Sequence, residues 1–154
     1  MSQLLLSHTI SRELARVGID RAIEESITMG CLTCIAVLDS GGQLVSFDRM
    51  NGAPFQSSQL AQDKAFSVAG NGLATHEFWE MVADEPWLVH NVGQVEGLVV
   101  LGGGVPLRVD GQLVGAVGVS GKSNMAEDRA IAEAAVSAIL DAISNDKEQS
   151  VQQA

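Results

Sequence analysis

Apolar positions along the chain change their period repeatedly, and each change marks an element. Over residues 10–29, Ile10, Leu14 and Val17, then Ile19, Ile23 and Ile27, recur at three- and four-residue steps, which predicts a helix with Gly30 as its C-cap. Residues 33–38 (TCIAVL) are rich in β-formers, Asp39-Ser40-Gly41-Gly42 is turn chemistry, and residues 43–49 return, so this stretch reads as a hairpin. Helical spacing resumes over residues 57–69 and is broken by Gly70-Asn71-Gly72. Thr75 is placed to cap a short helix ending near Pro86.

Residues 97–101 (GLVVL) are short and continuously apolar, as in a buried strand. Residues 105–109 and 112–119 flank Asp110-Gly111, a two-residue hairpin turn. DSGGQLVS at 39–46 and DGQLVGA at 110–116 repeat the same turn chemistry before a return strand. Asn124 with Glu127 forms a capping box, and Ile131, Ala135, Val136, Ile139 and Ile143 form the stripe of a long last helix with a frayed polar tail over 145–154. Tight turns demand antiparallel pairing, so the expected fold is one α+β domain over residues 1–154, core about 10–144, with helices on a five-stranded antiparallel sheet.

The 154 residues and 46% apolar content suffice for one core. Nine Lys and Arg against nineteen Asp and Glu give a net charge of −10 with no basic run, and there is no Tyr for base stacking. Nucleic acid is therefore excluded as the main partner, since binding it requires a basic stripe or an aromatic platform. No stretch reaches the roughly 18 apolar residues that span a bilayer, so no membrane partner is expected. Leu4-Leu5-Leu6 lacks the basic flank of a signal peptide, so the expected location is cytoplasmic.

Several motifs fall short of their chemistry. AVGVSGKS at 116–123 lacks the first glycine of a phosphate loop, and Val117 and Val119 continue a strand pattern through it. Cys31 and Cys34 form a lone CxxC that follows a helix rather than opening one, without a second pair for zinc. His76, Glu77 and Glu80 read H-E-x-x-E, one residue short of a zincin, so no metal set is complete. Ser120 lacks the glycine at 122 that a nucleophile elbow needs.

Lys64 and Asp128 stand out. At about 100° per residue, Lys64 falls between Leu60 and Val68, and Asp128 shares a face with Ala132, Ala135 and Ile139, so both charges point at apolar sides. Such charges must be paired or border a cavity. One reading is an ion pair of Asp128 with Lys64 or Arg49 that orients helices; the other is a polar pocket in an apolar interior, the usual form of a small-ligand site. Gly102-Gly103-Gly104 lets backbone approach closely, and the amides of residues 118–121 with the following helix N-terminus form an expected anion seat.

AVLDSGGQLVSFDRMNGA, LAQDKAFSVAG and GGGVPLRVDGQLVGAVGVSG, followed by Asp128, together resemble the GlcG/HbpS-like family, also called the haem-degrading domain family and related to the C-terminal domain of PduO-type proteins. The resemblance covers about residues 14–140 and implies a profilin-like α-β-α sandwich and homo-oligomers. It also implies that Asp39, Gly42, Arg49, Lys64, Thr75, Gly103, Gly104, Pro106, Gly111, Gly118, Ser120, Gly121 and Asp128 occupy family-pattern positions. Some members bind haem, others accompany catabolic operons, and a few act on small acids. Lys122 departs from the small residue that many members place there.

The leading expectation is a cytoplasmic homo-oligomer binding a small anionic organic molecule, haem among the candidates, between helices and sheet. Lys64 and Arg49 would receive carboxylates or propionates, Gly103, Gly104, Gly118, Ser120 and Gly121 would supply backbone, and Thr75 or His76 would ligate iron. The alternative is a cofactor-independent dehalogenase, deaminase, lyase or isomerase using Lys64 with Asp128 or Glu127 as acid and base. A third is a partner protein in which these residues only hold the fold.

Overall fold

A computed structural model describes residues 7–152, with side chains through residue 148. In chain order the elements are α1 (Arg12–Met29), β1 (Leu32–Asp39), β2 (Leu44–Arg49), α2 (Gln56–Asn71), α3 (Thr75–Val82), α4 (Pro86–Val92), β3 (Gly104–Val109), β4 (Gln112–Lys122) and α5 (Met125–Gln152). One antiparallel sheet runs in the order β2-β1-β4-β3.

Local chemistry sets the element ends. Ser11 Oγ accepts from Leu14 N at 3.2 Å to open α1, and Gly30 closes it at φ 70°, where other residues pay a steric penalty. Asp39 Oδ1 accepts from the amides of Gly41 and Gln43, each at 2.9 Å, so the first hairpin turn is held by a side chain. Asp110 (φ 50°) and Gly111 (φ 80°) form the left-handed pair that the second hairpin requires.

Strand alternation then distributes the core. Ile35, Val37, Val117 and Val119 pack with residues of α1 and α5 on one face, while Cys34, Ala36, Leu38 and Ala116 pack with Ala61, Ala65 and Val68 of α2 on the other. Small residues dominate the second face, so α2 lies close on the sheet. A Cβ on Gly118 would stand 1.9 Å from the Ala61 carbonyl oxygen. The result is an α+β protein with helices on both faces of the sheet.

Among the described residues the sheet has four strands, not the expected five. Residues 97–101 form no strand: Val99 N donates to Ser67 Oγ at 2.8 Å, and Leu98 and Val100 pack against Phe78, Val82 and Val92. Their apolar character serves a small helical cap instead of a sheet. Thr75 opens α3 rather than capping it; Ala74 is the N-cap, and Glu77 Oε2 accepts from its amide at 2.9 Å. Pro86 begins a further short helix, α4, that the periodicity did not separate. The last helix continues through Gln152, beyond the expected tail boundary. Among the described residues, no helix is long and apolar enough to cross a membrane.

Candidate functional site

Helical periodicity carries Lys64 and Asp128 inward, and they meet. Lys64 is 0% exposed and Asp128 is 2% exposed. Lys64 Nζ donates to Asp128 Oδ2 at 2.7 Å and to the Val119 carbonyl at 2.8 Å, and the Ser123 hydroxyl donates to Asp128 Oδ1. Burial pushes the Lys64 ammonium below its ordinary range, opposed by the Asp128 charge. Burial likewise pushes the Asp128 carboxyl up, opposed by Lys64 and Ser123. The pair thus ties α2, β4 and the first turn of α5 together.

The remaining expected acid and anion contacts lie elsewhere. Glu127 Oε2 accepts from Asn124 N at 2.8 Å while Asn124 Oδ1 accepts from the amides of Ala126 and Glu127, so Glu127 is the capping-box carboxylate rather than a partner of Lys64. Arg49 is exposed at the end of the edge strand β2, where its Nε donates to the Ala53 carbonyl at 3.2 Å. Residues 118–121 do not form a loop below a helix N-terminus, because β4 runs through Lys122 and pairs Gly118, Ser120 and Gly121 with Ala36, Cys34 and Thr33. The expected anion seat is sheet.

The glycines serve close approach. Gly103 (φ 117°) lies over the ion pair: a Cβ there would stand 2.7 Å from Asp128 Cβ and 3.0 Å from Lys64 Nζ. A Cβ on Gly104 would stand 2.7 Å from the Lys64 carbonyl oxygen, and one on Gly121 would stand 2.2 Å from that of Leu32. Thr75 is 1% exposed and its hydroxyl accepts from Gly104 N at 2.9 Å, which spends it on backbone.

The cysteines belong to separate core clusters, Cys31 to the α1/α5 side and Cys34 to the α2 side, so CxxC is not a facing pair. Burial raises both thiol pKa values. Among the described residues, no group of three or more His, Cys, Asp and Glu is placed to hold a metal ion.

Beside the buried pair lies an apolar cleft of about 450 Å³, walled by His76 and Trp79 of α3, residues 100–102, and Met125, Ala126 and Arg129 of α5. Gly102 precedes the glycine that covers Lys64, and Asp128 precedes Arg129, so the ion pair anchors two of these walls from behind. His76 Nδ1 is buried with no hydrogen-bond partner among the described residues. Arg129 Nε donates to Glu133 Oε1 at 2.7 Å; that bond and charge raise its pKa, with Glu77 and Glu80 adding to the effect. Sequence reasoning named His76 but missed Trp79 and Arg129. The i, i+3 spacing of His76 and Trp79 on α3 was the available signal; Arg129 joins them only through tertiary packing.

Fold and cleft first define a class: a one-sheet α+β protein in which a buried ion pair backs a largely apolar cleft lined by a histidine and an arginine. The chain belongs to the HbpS-like family, whose model, described as haem degrading protein HbpS-like, matches residues 10–137. Protein GlcG of Escherichia coli K12 is 34% identical over 116 residues, covering 72% of this chain and 81% of GlcG. The corrinoid adenosyltransferase PduO of Salmonella typhimurium is 33% identical over 128 residues, covering 82% of this chain but only 37% of PduO. A crystal structure of a PduOC:haem complex superposes with a TM-score of 0.75 at 29% identity, covering 84% of this chain and 94% of that one.

Proposed function

We propose that the chain binds a planar, carboxylate-bearing tetrapyrrole of the haem type in the His76 cleft. The observation that carries this reading is the cleft of about 450 Å³, whose largely apolar walls also carry His76 and Arg129. His76 Nδ1 is buried without a partner among the described residues, so a turn of the ring that brings it to a ligand would offset a cost of about 1–3 kcal/mol. The walls fit such a group: Val100, Leu101 and Met125 bury ring surface, Trp79 offers an indole face, and Arg129 stands where a propionate would take the place of Glu133. His76 would hold haem through its imidazole, and the bound group would supply an iron centre.

Similarity to PduOC, solved with haem, supports the same ligand class. In this reading Arg129, rather than Lys64 and Arg49, receives the carboxylates, and Lys64 with Asp128 serves as the clamp behind the cleft. We extend the reading to a profilin-like sandwich assembling as a cytoplasmic homo-oligomer. Native mass spectrometry of freshly purified protein would read assembly size and retained ligand together.

Titration with haemin tests the central reading. A Soret shift at micromolar haemin is expected for the wild type and is expected to be lost or strongly moved in His76→Ala. A wild-type spectrum equal to free haemin plus protein refutes the proposal, leaving a small organic acid as the ligand class to examine.

A further inference from the structure

We propose a second binding site, for a medium-chain monocarboxylate, at the end of the molecule remote from the His76 cleft. A hollow of about 370 Å³ opens where α1, the β3–β4 hairpin and the C-terminal half of α5 meet. Along α5, Ile143 of this hollow is 17 residues beyond Ala126 of the cleft, roughly 25 Å at 1.5 Å per residue. The two sites are separate, and this one does not depend on the haem reading.

Core residues form its floor. Leu107 is fully buried, and Ile10 and Val114 are 5% and 6% exposed, while half-buried Leu14 and Ile143 make the walls. Among the described residues, the half-buried Leu14, Val109 and Ile143 offer apolar surface in this hollow on which a hydrocarbon chain would gain dispersion contacts. Its volume lies within the about 300–1,000 Å³ typical of small-molecule sites.

The mouth selects the head group. Lys147 Nζ stands 3.5 Å from Asp110 Oδ2, and their side chains are 62% and 85% exposed. So exposed a pair is held by about 0–1 kcal/mol, and the ammonium is readily shared with an incoming carboxylate. The His8 imidazole lies at the same mouth and adds a nitrogen donor. An apolar tail inward and a carboxylate on Lys147 satisfies both ends of the site; an amine would meet Asp110 but also the Lys147 charge.

The test is titration of the full chain with hexanoate, octanoate and decanoate, followed by amide chemical shifts. Affinity is expected to rise about fourfold per methylene, the factor for about 0.8 kcal/mol of buried CH₂, until the hollow fills, with shifts centred on Leu107, Val114 and Ile143. Lys147→Met, a change at an exposed side chain, is expected to weaken octanoate about threefold to fivefold while leaving octanol unaffected. Leu14→Trp should fill the hollow and abolish both. Octylamine binding as tightly as octanoate, shifts centred on the His76 cleft, or no shifts at millimolar octanoate would each overturn the proposal.

Discussion

Replacing Lys64 with Met removes a buried ammonium that makes two hydrogen bonds, to Asp128 Oδ2 at 2.7 Å and to the Val119 carbonyl at 2.8 Å. The variant leaves a carboxylate and a carbonyl without that partner in a region where Lys64 and Asp128 are 0% and 2% exposed. Breaking one side of a buried pair costs about 3–5 kcal/mol, and Asp128→Leu, which strands the ammonium, should cost a similar amount. For a chain of this size, that corresponds to a fall in Tm of roughly 6–20 °C. The double variant Lys64→Met/Asp128→Leu removes both charges, strands the Val119 carbonyl and leaves the half-buried Ser123 hydroxyl without its acceptor, so it should lie within about 2 kcal/mol of the wild type. A double-mutant cycle by urea unfolding at fixed protein concentration should therefore return a coupling energy of about 3 kcal/mol or more. Coupling below about 1 kcal/mol would refute the claim that the pair acts as one clamp.

The pH dependence has a definite sign. Asp128 is raised in the folded state, so its contribution is complete below its ordinary value of 3.8 and is lost as pH rises through the raised value. Lys64 is lowered, so its contribution is complete above 10.5 and is lost as pH falls through the lowered value. Both shifts come from burial disfavouring the charged forms, so an apolar replacement of the whole pair is expected to be tolerated better than a half-replacement. The double variant should show a flatter stability profile than the wild type between those limits; an unchanged profile would contradict the assignment.

Two further expectations concern the scaffold. Gly118→Ala would force a methyl to within 1.9 Å of the Ala61 carbonyl oxygen, a contact neither backbone can absorb, so loss of soluble protein or destabilisation beyond the about 1–3 kcal/mol of ordinary overpacking is expected on thermal melting. A melting curve equal to wild type would show that α2 does not rest on β4 there. Asn124→Ala removes the acceptor for the amides of Ala126 and Glu127 and should cost about 1 kcal/mol, a Tm fall of about 2–4 °C, read by circular dichroism.

Much of the molecule is written locally. The span of α1 with its Gly30 end, the hairpins with their Asp39-Ser40-Gly41-Gly42 and Asp110-Gly111 turns, and the Asn124 capping box each depend on residues a turn or a hairpin apart, so they are legible in the linear chain. Helical periodicity placed Lys64 and Asp128 on inward faces without saying which partner each would take. Residues 97–101 mark the limit: their composition suits a strand, but they bond to Ser67 and pack on Phe78, Val82 and Val92, which only the folded chain brings beside them. The cleft is of the same kind. His76, Gly102 and Arg129 belong to three segments with no sequence relation, joined because α3 and the first turn of α5 close over the 98–103 loop. Periodicity and capping act over a few residues, and so can be seen in a linear chain. The bond between Lys64 and Asp128 spans 64 positions, and its formation was decided by how closely small residues let α2 settle on the sheet.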